Sequence, residues 1–168
     1  MSWSLYAMPL HHVASDGGWE WAASAGSVRD LPDQPPEPTP PARVGDVLDA
    51  LRAAGCHGTA WFEVDGLAAG SALPRCPDAG TCGIEEGPDL GEVSLHVAGQ
   101  ERHGQPLPID AAVAGVSFRK PNTLAVLRVM CALTSAAGPL LVHDDSADQV
   151  FVVWPGERAE DMRGEWPW

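Results

Sequence analysis

Six prolines crowd the twelve residues DLPDQPPEPTPP, positions 30–41. Proline has no backbone N–H and a fixed φ, so this run is neither a helix interior nor a central strand. It predicts an extended, polyproline-type connection. Regular structure must therefore be built on either side of it. On the short N-terminal side, WSLYAM alternates Trp3, Leu5 and Ala7 with Ser4, Tyr6 and Met8, the period of a strand. Residues 10–29 show no clear period.

On the long C-terminal side, PARVGDVLDALRAAG spaces Val44, Val47, Leu48 and Leu51 as one buried helix face. Asp46, Asp49 and Arg52 fall on the other side, and Gly55 stops the helix. TAWFEV, residues 59–64, is rich in strand formers. A Gly/Pro/acidic loop over 65–90 carries two cysteines. EVSLHV then alternates Val93, Leu95 and Val97 with Glu92, Ser94 and His96, which predicts a half-buried, antiparallel strand. AAVAGVSF predicts a strand with a small-residue centre.

In RKPNTLAVLRVMCALTSAAG, Pro121 and Gly138 frame a helix whose only charged residue is Arg128, so it should be buried against the sheet. PLLVHDDSADQVFVVW predicts strand, turn, strand, with Asp and Ser side chains bonding the turn backbone. The expected fold is α+β, an antiparallel or mixed sheet of about six strands with two main helices on one face. Residues 1–154 would form a single domain, and 155–168 a polar tail that frays apart from its Trp pair.

Of the 168 residues, 45% are hydrophobic, enough for one domain with a sizeable core. The net charge is −13, which argues against nucleic acid and anionic membranes, where Lys and Arg must neutralise phosphates. No stretch of about twenty apolar residues predicts a membrane span. The start, MSWSLYAMPLHH, lacks the basic and apolar regions of a secretory leader, so a cytoplasmic location is expected. Abundant Ala, Gly and Pro, with Arg over Lys, suggest a high-GC bacterial genome.

Four cysteines in a reducing compartment should mostly be thiols. Cys131 falls in an apolar helical pattern and reads as core. Cys76 and Cys82 have five residues between them in CPDAGTC, wider than the usual zinc-ligand pair. Idle loop thiols rather than a disulfide, and so no cofactor, are the expectation. The alternative is a zinc or other metal site in which Cys56 and His57 complete the set with Cys76 and Cys82. Cys56 beside His57 also suggests a nucleophile and base, but neighbouring positions rarely have the mutual geometry.

His143 and Asp144 are the most enzyme-like pair, although turn formation accounts for Asp144, Asp145, Ser146 and Asp148. His96 on the polar face of its strand can approach Ser94, Ser117 and Arg119, so His96, Arg119, His143 and Asp144 form an alternative polar patch. Adjacent His11 and His12 on an extended chain point apart, which disfavours a shared ion with Asp16. No phosphate loop, GxGxxG, HExxH or GxSxG occurs. Seven tryptophans stand out; Trp61 and Trp154 are expected in the core or on a sheet face.

The opening MSW, the strand GEVSLHVAG, the helix ending in AAG and the hairpin PLLVHDDSADQVFVV resemble a set of small bacterial proteins. Those begin MSWD, carry a strand like SIEVNLG or SFAFHVRG, and close on a hairpin with an acidic turn; position 4 here is Ser. Some of them resemble immunity proteins of bacterial toxin systems. The resemblance implies an α+β fold and a non-enzymatic interaction protein neutralising a basic toxin partner. The acidic residues Asp78, Glu85, Glu86 and Asp89 would then meet that partner. A Cys/His metal-binding protein and an enzyme using His143 and Asp144 are the alternatives.

Overall fold

The computed structural model describes residues 3–78, 82, 87–99 and 104–168. The strands are β1 (Ser4–Pro9), β2 (Ser27–Arg29), β3 (His57–Ala60), β4 (Asp89–Val97), β5 (Val113–Arg119), β6 (Leu140–Asp144) and β7 (Gln149–Val153). The helices are α1 (Gly18–Ser24), α2 (Val44–Ala53), α3 (Thr123–Ala137) and α4 (Ala159–Met162). The fold is α+β with one mixed sheet of seven strands, in the order β2–β7–β6–β1–β5–β4–β3. The five inner strands pair antiparallel, and β2 and β3 add in parallel at the two edges.

Strand alternation sorts the side chains by face. Leu5, Val93, Val116, Phe118, Val142 and Phe151 point to one side. There they share a core with Val44, Val47, Leu48 and Leu51 of α2, and with Val126, Leu127, Met130 and Leu133 of α3. Asn122 caps α3, its side-chain oxygen accepting from Leu124 N–H (3.1 Å) and Ala125 N–H (3.4 Å). Gly138 ends the helix at φ +74°, and an added Cβ there would lie 3.0 Å from Thr39 Oγ1. The Thr39 hydroxyl donates to Ala137 O (3.1 Å), so the proline-rich connection crosses the end of α3.

The seven strands come close to the six or so expected, and residues 10–29 supply β2 as well as α1. These residues form a second apolar layer on the other side of β6 and β7, where Leu10, Val13 and Ala22 meet Leu141, Val150 and Val152. The strand expected over 59–64 is β3 at His57–Ala60 instead. Trp61 N–H still donates to Val93 O (2.8 Å), but the chain then leaves the sheet and Trp61 is 61% exposed. Finally, the tail does not fray: it forms α4 and buries Met162 and Trp166 in the main core. Among the described residues, no helix is long and apolar enough to cross a membrane.

Candidate metal centre

The site begins where α2 stops. Gly55 takes φ +67°, its N–H donates to Arg52 O (3.0 Å), and Cys56 N–H donates to Leu51 O (3.2 Å). This left-handed stop sets the next two side chains on different paths. Cys56 enters the main core, its Sγ 3.7 Å from Ala125 O. Burial pushes its thiol up to about 11, only partly offset by the charge of Arg128. His57 opens β3, with its N–H on Pro88 O (3.1 Å) and its Cα opposite Asp89. Its imidazole is buried. Strand alternation thus removes Cys56 from the expected ligand set and from any role as a nucleophile paired with His57.

The imidazole faces two kinds of group. Nδ1 lies 3.8 Å from Asp89 Oδ1, beyond hydrogen-bond length. Asp89 is itself fixed, since Oδ1 accepts from Gly91 N–H (2.9 Å) and its carbonyl from Asn122 N–H (2.8 Å). Nε2 points the other way and lies 3.2 Å from Cys82 Sγ. Cys82 is held by its N–H on Asp78 O (3.2 Å). Cys76 and Cys82 are joined as a disulfide, and their Cα atoms are 7.1 Å apart, beyond the usual span of such a bond.

The ligand atoms of His57, Cys76 and Cys82 all lie within 4.8 Å of one another. Two expectations are overturned here. The two cysteines are not idle loop thiols, because they are paired with each other against a buried histidine. Nor does an expectation of no cofactor stand, because one imidazole and two sulfurs cluster as a donor set that, with the sulfurs as thiolates, is able to coordinate a metal ion such as zinc. No other such group of three or more occurs among the described residues.

The remaining candidates are placed as follows. Asp89 belongs to the His57 neighbourhood, and Asp78 supplies the carbonyl that holds Cys82. Glu85 and Glu86 lie outside the described residues. His96 Nε2 is 3.0 Å from Ser117 Oγ. Arg119 pairs with Glu92 (2.9 Å) and lies over the Trp61 ring. His143 stacks on Tyr6, and its Nδ1 donates to Asp144 O (2.9 Å), a backbone atom. The Asp144 carboxylate instead accepts from Ser146 Oγ (2.7 Å), Ala147 N–H (3.1 Å) and the Trp168 indole (3.2 Å). His143 and Asp144 therefore make no imidazole–carboxylate pair, and the four residues are divided between separate partners. His11 and His12 do not point apart: they sit in a 3-10 turn with ring centroids 4.4 Å apart.

One signal for the site was available in the chain itself, since Cys56-His57 and CPDAGTC each carry donors. The placement of Asp89 beside His57 had none, because it arises from the parallel register of β3 and β4. No protein-family profile, curated protein or solved structure matches the chain.

Proposed function

We propose that this protein binds a thiophilic metal ion, zinc in the first instance, through His57, Cys76 and Cys82. The observation that carries the reading is the convergence of three donor atoms from β3 and from the loop that follows it. Thiolate with imidazole is a donor set suited to zinc. Bond lengths of about 2.3 Å to sulfur and about 2.0 Å to nitrogen place tetrahedral donors roughly 3.5–3.8 Å apart. The His57–Cys82 separation of 3.2 Å is already close to that. The two sulfurs must part for both to ligate. Three protein ligands leave a fourth tetrahedral position for water or an external donor, the pattern of an open site rather than a closed structural one.

Nothing comparable supports a basic protein partner. That reading rests on acidic charge, the lack of a nucleophile motif and the resemblance, and Glu85 and Glu86 lie outside the described residues. The test is metal analysis of protein purified in reductant without chelators. About one zinc per chain is expected. His57→Ala and the Cys76→Ser/Cys82→Ser double variant should lose it, and Cys56→Ser should keep it. Absence of zinc after reconstitution, or retention by the double variant, overturns the proposal.

A further inference from the structure

Resting on the metal reading above, we infer that the Cys76–Cys82 bond is a redox gate: the oxidised pair excludes the ion and its reduction admits it. Both sulfurs proposed as ligands are the sulfurs of the bridge. A disulfide sulfur carries no thiolate charge. Two sulfurs bonded to each other also cannot stand at two corners of a tetrahedron, which would hold them about 3.7 Å apart. Oxidation therefore removes two of three donors in one step and leaves one imidazole. The gate is local, because His57 sits on β3, paired with β4, while the exchange takes place at two loop cysteines.

The two sulfurs are not equivalent. Cys76 is exposed, whereas Cys82 is half-buried against His57 Nε2. A small thiol reaches Cys76 first, forms a mixed disulfide there, and displaces the Cys82 sulfur beside the imidazole. A second thiol then releases Cys76. The bridge gains two electrons, the two small thiols become one small disulfide, and two protons appear in solution as zinc binds the two thiolates. In reverse, a small disulfide oxidises the zinc-bound pair, takes up two protons as two thiols, and the zinc leaves. The other cysteines stay out of the exchange. Cys56 is buried in the core, and burial pushes the Cys131 thiol up to about 11, with Glu157 and Glu160 adding to it.

The test uses the whole chain, reduced and loaded with zinc, then treated with oxidised glutathione. Zinc release is followed with a chromophoric chelator, and the thiols are mapped by alkylation and mass spectrometry. One zinc should be released for each Cys76–Cys82 bond formed, and excess reduced glutathione should restore binding. Cys131→Ser should leave this coupling unchanged. His57→Ala should form the bond but bind no zinc. If the oxidised chain, with its bond verified, retains its zinc, the ion is not held by the two thiolates, and the gate and the metal reading both fall. The gate also fails if loaded protein resists an oxidant that fully closes the metal-free chain. If the reduced chain binds no zinc, the metal reading falls and the gate with it.

Discussion

Asp144 sits at the end of β6, where the chain reverses. Burial opposes its ionisation, but the Ser146 hydroxyl, the Trp168 indole and the Ala147 and Ser146 N–H groups outweigh that and hold the carboxyl below its ordinary 3.8. A depressed folded value stabilises the fold while the carboxylate is charged, and that stabilisation is lost as pH falls through the folded value. Asp144→Asn should therefore be less stable than the parent at neutral pH, with a gap that narrows below pH 3.8. Urea unfolding across that range measures it, and a gap independent of pH would contradict the assignment. The sequence permitted this residue both as a turn former and as an acid beside His143. The structure favours the first, because His143 bonds the Asp144 carbonyl and leaves the carboxylate to the turn. At His57 the outcome runs the other way. A residue that read as a minor member of a metal set is the buried centre of it.

Among the elements, α3 best illustrates what a local pattern can carry. Leu124 to Ala137 is almost free of charge, and the helix buries Val126, Leu127, Met130 and Leu133 against the sheet. Leu127→Ala should cost about 2–5 kcal/mol, the range for a fully buried leucine. Asp49→Ala, on the solvent side of α2, should stay within about 0.5 kcal/mol. Chemical denaturation of both variants checks the pair, and equal effects would contradict the packing. β3 and α1 were less legible. β-propensity reports the fit of a side chain to a pleated, half-buried surface, so TAWFEV scores as strand although the chain turns out after Ala60. In α1, seven residues are too few for a period to emerge, and Ala22 is the buried residue of the helix.

Across the whole molecule, the C-terminal segment closes the fold. Arg29 on β2 pairs with Glu157 (3.0 Å) and Glu165 (2.9 Å), and its guanidinium lies over the Phe151 ring. Trp166 packs edge-on against Phe151 with ring centroids 4.8 Å apart, and Trp168 O accepts from the Thr123 hydroxyl (2.9 Å). Trp166→Ala should cost about 3–5 kcal/mol, as for other large aromatic truncations in a core. The readouts are thermal unfolding and the near-ultraviolet circular dichroism of the aromatic residues. A change below about 1 kcal/mol would mean that the tail is not part of the core.

Periodicity and punctuation are local, so the chain alone determined α2, α3, the alternation of β1 and β4, and the acidic turn between β6 and β7. Each depends on residues a few positions apart. The donor cluster depends on more. His57 and Cys82 are 25 positions apart, and the loop that joins them carries no period. Which way His57 faces is decided by where Gly55 stops α2 and by the register of β3 on β4. Where the sulfurs fall is decided by the tertiary placement of Cys76 and Cys82 against that edge strand. Only the tertiary structure settles these, because nonlocal pairing, not residue type, sets the distance between an imidazole and a thiol.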